Sequence, residues 1–175
     1  LAVGGGSVLD VAKLVAALHD APEPVGQYYG VGLLNRRQTA LVCVPTTAGT
    51  GSEVSPNALL YDESARAKKA VISPALVPDA AIVDPTFMLS LPPALTATTG
   101  LDALTHAIEG YTTAGAFELS DMFHRKAIQM IATALPKAAD GDPQAADEMA
   151  MAQYIAGMGY SNVGLGLVHG MAHPL

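Results

Sequence analysis

The chain has 175 residues, of which 50% are hydrophobic and 14% are charged, and its formal net charge at pH 7 is −7. That length suits one domain or parts of two, and so apolar a composition excludes intrinsic disorder. The acidic balance argues against nucleic acid as a partner, and no apolar run reaches the roughly 18 residues of a membrane span, so we expect no membrane partner either. The single cysteine, Cys43, suits a reducing compartment, and we expect a cytoplasmic protein.

The first predicted unit is a strand, a glycine turn and a helix. Residues 1–3 are apolar and end in three glycines, after which apolar residues recur at helical spacing from Val8 to Leu18. Ser7 stands where an N-cap is expected, and Asp10 three residues later would complete a capping-box-like pair. The backbone N–H groups of such a turn, together with the positive end of the following helix, can bind a phosphate. A plain turn between strand and helix explains the glycines equally well.

A second glycine-containing loop follows another predicted strand. The further strands of this half are predicted over residues 40–44, 57–61, 69–73 and 80–83. The first of these is a continuous apolar run, which is typical of a buried parallel strand. It leads into Thr46 to Ser55, a loop rich in hydroxyls and glycines that lacks the Gly-Lys-Ser/Thr of a P-loop. Two such loops favour a dinucleotide that lies across strand ends, and the alternative is a polar loop without a ligand.

After about residue 86 the pattern becomes helical. Pro92 and Pro93 indicate a helix start, and Thr99 is expected to cap a helix over residues 102–111. Further helices are predicted over residues 118–135, over 143–160 and from 163 onward. We therefore predict an α/β fold in two parts, a Rossmann-like nucleotide-binding part with a parallel sheet over residues 1–86 and an all-helical part over residues 87–175. Because the chain opens without Met and stops within a helical pattern, we expect both parts to be incomplete and the chain to be an internal fragment.

Two pairs of possible metal ligands lie in the helical part. Asp102 and His106 are four residues apart and so share one helix face, and His169 and His173 repeat this spacing. A carboxylate and imidazoles can hold one divalent metal ion. An ordinary hydrogen bond on a helix surface explains either pair alone, whereas both pairs in an apolar background favour a metal site. The remaining histidines, expected at the surface or in helix packing, are His19 and His124.

Four motifs together resemble one known family. They are Gly4-Gly5-Gly6-Ser7, Pro45-Thr46-Thr47-Ala48-Gly49-Thr50-Gly51-Ser52-Glu53, Gly100-Leu101-Asp102-Ala103-Leu104-Thr105-His106-Ala107-Ile108-Glu109-Gly110-Tyr111 and His169-Gly170-Met171-Ala172-His173-Pro174-Leu175. With these motifs the whole chain resembles the group III, iron-containing alcohol dehydrogenases, which include lactaldehyde and 1,3-propanediol reductases. The resemblance implies an oxidoreductase that transfers a hydride between a nicotinamide cofactor and a small alcohol, aldehyde or ketone.

The resemblance also implies roles for individual residues. Asp102, His106 and His169 would be three of four metal ligands, and a histidine beyond Leu175 would be the fourth. His173 would be a catalytic group that relays a proton near the substrate. Fe²⁺ is the metal that the family implies first, and Zn²⁺ is also possible. The cofactor, NAD with NADP left open, would contact Gly5, Gly6, Ser7, Thr46, Thr47, Thr50, Ser55 and Lys68, with Lys69 as the neighbouring alternative to Lys68.

Two other interpretations of the sequence stay open. One is a zinc-dependent enzyme similar to glycerol dehydrogenase, which shares the fold, although the loop after Pro45 and the helix with Asp102 favour the iron group. The other is a truncated, non-catalytic remnant that binds nucleotide, since three ligands without the fourth could bind metal poorly. For the full-length parent we expect a homo-oligomer with a small alcohol or aldehyde as substrate.

Overall fold

The computed structural model describes residues 1–172, in which a first half with all the strands is followed by a helical half. The strands are β1 Ala2–Gly4, β2 Gly30–Val31, β3 Val42–Pro45, β4 Asn57–Asp62, β5 Ala67–Ile72 and β6 Ala80–Ala81. The α-helices are α1 Gly6–Leu18, α2 Pro93–Thr112, α3 Glu118–Ala139, α4 Pro143–Val163 and α5 Leu167–Ala172. None of the helices within residues 1–172 combines the length and the apolar character that crossing a membrane requires.

The strands form two separate three-stranded sheets. The first has the order β1-β3-β6 and is parallel throughout, with Ala2 of β1 opposite Cys43 of β3. Cys43 and Val44 are buried, which explains why an unbroken apolar run forms the central strand. The second sheet has the order β2-β5-β4 and is mixed, because β4 and β5 form an antiparallel hairpin. The predicted parallel, Rossmann-like sheet is thus confirmed for β1-β3-β6 and does not extend to the hairpin.

The start of α1 differs from the prediction. Gly5 is the N-cap residue and Ser7 lies inside the first turn, so the predicted capping by Ser7 is wrong. Asp10 takes no part in capping either, since its carboxylate is buried and accepts hydrogen bonds from the Ser52 hydroxyl at 2.6 Å and from the Leu59 N–H at 3.0 Å. These two bonds connect the carboxylate to segments far along the chain rather than to the start of its own helix.

The buried face of α1 is also not the one that its valines indicate. The residues buried there are Leu9, Asp10, Lys13, Leu14 and Ala16. The valines of the apolar pattern, Val8, Val11 and Val15, are exposed. Helical periodicity is present on both faces, so the pattern predicts the helix correctly but not the side that packs on the sheet.

Helix α2 is continuous and begins at Pro93, as the two prolines predict. Thr99 does not cap a helix, because it lies inside α2 and its hydroxyl donates to the Leu95 carbonyl at 2.8 Å. The predicted cap is therefore wrong, since a threonine within a helix can satisfy its hydroxyl on the preceding turn. As a consequence, Asp102 and His106 lie in the middle of a 20-residue helix, where their backbone is held rigidly.

Small side chains fill the core between α2, α3 and α4. The completely buried alanines of this core are Ala103, Ala107, Ala127, Ala152 and Ala156. Because the distance between packed helices depends on the side chains at their contact, alanines let these helices approach closely. The helices α3 and α4 end several residues later than predicted, and α3 continues through Pro136.

His124 of α3 is a helix-packing residue, as predicted. Its ring is completely buried between Gly110 of α2 and Gly159 of α4, where a Cβ on either glycine would lie 2.3 or 2.4 Å from the ring Nε2. Among residues 1–172 neither ring nitrogen has a hydrogen-bond partner. Burial without a partner lowers the pKa of His124, although Asp121 opposes this shift.

We expect His124→Leu to reduce the loss of stability in mild acid. As the pH falls through about 6.5, the histidine of the unfolded chain takes up a proton before the buried ring does, so the free energy of unfolding of the parent decreases. Leucine cannot titrate, and the two stability profiles should differ in slope by at most about 1.4 kcal/mol per pH unit. Urea unfolding at pH 7, 6 and 5 measures this slope.

The matched control is His19→Leu, because the side chain of His19 is nearly half exposed at the end of α1. This variant keeps the buried His124 ring, so its profile should still show the loss of stability in mild acid. Parallel profiles for the parent and His124→Leu would contradict the prediction.

Candidate functional site

The two glycine-containing loops lie side by side at the carboxyl ends of β1 and β3. The Thr46 N–H donates to the Gly4 carbonyl at 3.0 Å. A Cβ on Gly5 would lie 3.3 Å from the Thr47 methyl group, and one on Gly6 would lie 2.6 Å from the Thr50 methyl group. Neighbouring parallel strands bring their following loops together, so this juxtaposition confirms what the strand pattern predicts.

The residues proposed to contact the cofactor differ in their accessibility. Those that meet at this sheet edge and are at least partly accessible are Gly5, Gly6, Ser7, Thr46, Thr47 and Thr50. Ser55 lies at the buried base of the loop and is only 2% exposed. Its carbonyl and hydroxyl oxygens accept hydrogen bonds from the Lys13 ammonium at 2.9 and 3.2 Å. Ser55 therefore anchors the end of the loop to Lys13 of α1.

The two neighbouring lysines of β5 have different surroundings. Lys69 forms an ion pair with Asp62 at 2.8 Å, and its ammonium lies 5.3 Å from the centre of the Tyr29 ring. Lys68 is exposed, and its positive charge acts on the carboxyl groups of Asp10 and Asp102. Of the two lysines, Lys68 is thus the one whose charge acts on Asp10 and on the proposed metal ligand Asp102.

Two oppositely charged, buried residues of α1, Asp10 and Lys13, contact the end of the loop between Thr46 and Ser55. Lys13 is completely buried, donates to the Asn57 carbonyl at 2.8 Å and lies 4.0 Å from Asp10 Oδ1. Burial lowers the pKa of Lys13 to about 8, and the negative charge of Asp10 opposes this shift. This pair is not among the residues that the sequence motifs single out. Its signal is the i,i+3 spacing of an acidic and a basic residue next to the two leucines that pack on the sheet.

Helix α4 holds the same loop from the helical half. Gln153 accepts a hydrogen bond from the Gly51 N–H at 3.1 Å and donates to Glu53 Oε1 at 2.6 Å. The Tyr160 hydroxyl donates to the Thr50 carbonyl at 2.6 Å, and burial raises the pKa of this phenol, which keeps it a donor. The loop between Thr46 and Ser55 is therefore fixed by both halves of the chain.

Three of the predicted metal ligands converge. One donor atom each from Asp102, His106 and His169 lies within 4.8 Å of the others. Asp102 Oδ1 is 3.5 Å from His169 Nε2 and 3.9 Å from His106 Nε2, and the two imidazole rings stack with centroids 4.4 Å apart. His173, the predicted proton relay, lies outside the described residues. One carboxylate and two imidazoles form a donor set that suits a divalent transition metal such as iron or zinc.

The electrostatics of the cluster also suit a cation. Burial pushes the pKa of Asp102 upward, but the hydrogen bond from His169 and the positive charges of His169 and Lys68 outweigh it and hold the pKa below its usual value. Burial lowers the pKa of His106, so this ring is neutral at pH 7. The hydrogen bond to Asp102 raises the pKa of His169, against the effect of burial. A proton and a metal ion therefore compete for the Nε2 atom of His169.

Each histidine is oriented through its second nitrogen. His106 Nδ1 lies 3.3 Å from the Gly49 carbonyl of the loop, and the ring stacks on Tyr160 at 4.6 Å. His169 Nδ1 lies 2.5 Å from Glu109 Oε2. Glu109 is not among the predicted site residues, although its spacing in the sequence points to the site. Asp102, His106 and Glu109 follow one another at intervals of four and three residues and so share one face of α2.

Known proteins share this arrangement of motifs and fold. Residues 1–85 match the family model for iron-containing alcohol dehydrogenase, and residues 96–175 match the model for the C-terminal part of the Fe-containing alcohol dehydrogenase family. Lactaldehyde reductase from Escherichia coli (strain K12) is 49% identical, and NAD-dependent methanol dehydrogenase from Bacillus methanolicus is 42% identical. Each alignment covers 100% of this chain and 46% of the relative.

The solved structures agree with the sequence matches. An iron-containing alcohol dehydrogenase from Thermotoga maritima superposes with a TM-score of 0.93 and 36% identity over 99% of this chain and 48% of its own. The chain thus spans about half the length of the curated relatives that it matches. Since the two family models together extend from residue 1 to residue 175, the chain belongs to the iron-containing alcohol dehydrogenase family.

Proposed function

We propose that the chain is part of a metal-dependent oxidoreductase that transfers a hydride between a nicotinamide cofactor and a small alcohol, aldehyde or ketone. The proposal rests on one observation, the 3.3 Å approach of His106 Nδ1 to the Gly49 carbonyl of the loop after β3. A cation held by Asp102, His106 and His169 would border the loop that would hold the dinucleotide. The proposed reaction needs the metal ion and the cofactor next to each other. The activities in the names of the lactaldehyde reductase and methanol dehydrogenase relatives support this class of substrate.

The chain's own groups have distinct parts in this proposal. The N–H groups at Gly5 and Gly6, with the positive end of α1, would bind the pyrophosphate of the cofactor. Asp102, His106 and His169 would hold the divalent metal ion, which supplies Lewis-acid stabilisation of negative charge on the substrate oxygen when it is bound. The protein orients the cofactor, and the hydride chemistry belongs to the nicotinamide. His173, four residues after His169, is proposed to relay the proton.

Several broader assignments belong to the same proposal. Residues 1–86 would form part of the cofactor-binding domain, and residues 87–175 part of the metal- and substrate-binding domain. NAD and Fe²⁺ are the proposed cofactor and metal, since one relative is an NAD-dependent enzyme and the family models are those of iron-containing enzymes. We also propose a homo-oligomer and, because Cys43 is a buried free thiol, a reducing cytoplasm.

The test is reversible loss of activity on metal removal. In the gene product that contains this sequence, oxidation of short alcohols and diols with NAD should stop on chelation and return when Fe²⁺ or Zn²⁺ is added. Parallel assays with NADP establish the cofactor preference. Turnover that persists in metal-free protein would contradict the proposal. Binding of NAD without turnover under any metal would instead identify a non-catalytic nucleotide-binding protein.

A further inference from the structure

Glu109 is a buried carboxylate on the face of α2 that also presents two proposed metal ligands. It follows Asp102 by seven residues and His106 by three, which are about two turns and one turn of helix. Its side chain is 8% exposed. Glutamate is almost never this buried unless it is paired, so its partners determine what it does.

Both carboxylate oxygens of Glu109 face the segment that carries His169. Oε1 accepts a hydrogen bond from the Val168 N–H at 2.6 Å, and Oε2 lies 2.5 Å from His169 Nδ1. The Gly166 N–H is a further donor to this carboxylate, and a Cβ on Gly166 would lie 3.0 Å from Oε1. One side chain on α2 therefore fixes both the backbone at the start of α5 and the ring of His169.

This contact determines which nitrogen of His169 is presented to a metal. An ionised carboxylate can only accept hydrogen bonds, so the hydrogen of the neutral His169 ring lies on Nδ1 and the lone pair is left on Nε2. Nε2 is the nitrogen that lies 3.5 Å from Asp102 Oδ1. The Nδ1 atom of His106 lies next to the neutral Gly49 carbonyl, whereas that of His169 lies next to the Glu109 carboxylate. The two histidines thus differ in the charge of the group that orients them.

We propose that Glu109 is a positioning residue of the metal centre, whose carboxylate selects Nε2 of His169 as the ligand atom and holds it at the site. The inference rests on the proposed metal-dependent function. A carboxylate behind a metal-binding histidine fixes the ring and makes it a stronger base, and its loss typically weakens metal affinity about 10–100-fold. A role confined to the backbone of α5 would leave metal affinity unchanged as long as that helix stays folded.

The test is the Zn²⁺ affinity of the gene product that contains this sequence, measured by competition with a chelating dye. Glu109→Gln keeps the side-chain length, removes the charge and replaces one acceptor oxygen with an amide donor. We expect its Kd for Zn²⁺ to increase about 10–100-fold while the far-ultraviolet circular dichroism stays that of the parent. Glu148→Gln makes the same chemical change at an exposed position on α4 and should leave the Kd unchanged.

A third variant separates failure of this inference from failure of the proposed function. If Glu109→Gln binds Zn²⁺ as the parent does while His169→Ala has lost binding, the positioning role of Glu109 is wrong and the metal site stands. If His169→Ala also binds as the parent does, the metal site itself is wrong.

A measurement on the parent chain covers the case in which Glu109→Gln does not fold. Nitrogen-15 NMR of labelled histidine in the Zn²⁺-loaded parent protein distinguishes the two ring nitrogens of His169. The inference requires a hydrogen on Nδ1 and a metal-induced shift at Nε2. A spectrum with the metal on Nδ1 overturns it.

Discussion

Replacing Asp102 or His169 with alanine should weaken Zn²⁺ binding by the gene product that contains this sequence more than about 100-fold. Loss of a group that only orients a ligand typically costs about 10–100-fold in metal affinity, and loss of the ligand itself costs more. Asp102 is the more informative position, since its Oδ1 lies 3.5 and 3.9 Å from the Nε2 atoms of the two histidines and its removal leaves the imidazoles without a shared anion. Isothermal titration calorimetry with Zn²⁺ measures the loss directly.

The control for these two variants has to be chosen from the structure. His124→Ala would open a cavity beside Gly110 in the same helix as Asp102, so it would disturb the site indirectly. His19→Ala removes a histidine near the surface at the end of α1 and should leave the Zn²⁺ affinity unchanged. An Asp102→Ala, His169→Ala double variant that binds Zn²⁺ like His19→Ala would show that the metal assignment is wrong.

Asp10→Ala should destabilise the chain by about 3–5 kcal/mol, the usual effect of removing one partner of a buried ion pair. The substitution leaves the Lys13 ammonium buried, with neutral oxygens of Ser55 and Asn57 as its hydrogen-bond acceptors. It also removes the acceptor of the Ser52 hydroxyl and of the Leu59 N–H. Urea unfolding at pH 7 measures the difference in the free energy of unfolding.

Two further variants test whether the unpaired Lys13 ammonium causes the loss of stability in Asp10→Ala. Adding Lys13→Met to Asp10→Ala removes the ammonium while keeping an apolar stem, and should recover part of the lost stability. Asp20→Ala changes an exposed aspartate just after α1 and should alter stability by less than about 0.5 kcal/mol. If the double variant is no more stable than Asp10→Ala, the loss comes from the broken hydrogen bonds rather than from the charge.

Sequence spacing predicts those features of the site that depend on a single element or on neighbouring strands. Asp102 and His106 lie one helical turn apart wherever the helix begins, so the wrong cap at Thr99 does not affect their convergence. Likewise, parallel pairing of β1 with β3 brings the two loops together although Ser7 is not the cap.

Spacing does not predict partners that meet only in the folded chain. The contact of Glu109 with His169 joins residues 60 positions apart, and that of Lys13 with Ser55 joins residues 42 apart. Which polar groups meet at such separations depends on how the helices and sheets pack. The valines of α1 illustrate the same limit, because periodicity indicates a helix and leaves open which of two apolar faces is buried.

The loop between Thr46 and Ser55 takes its shape from residues far along the chain. Its bonds with Gln153 and Tyr160 span 100 to 110 positions. Contacts this distant form only after a large loss of chain entropy and are characteristic of late folding steps. During synthesis the loop leaves the ribosome about 100 residues before the partners that fix it. A nascent chain therefore completes this loop only after α4 has been made and has docked, so a cofactor held as proposed above would bind late in folding.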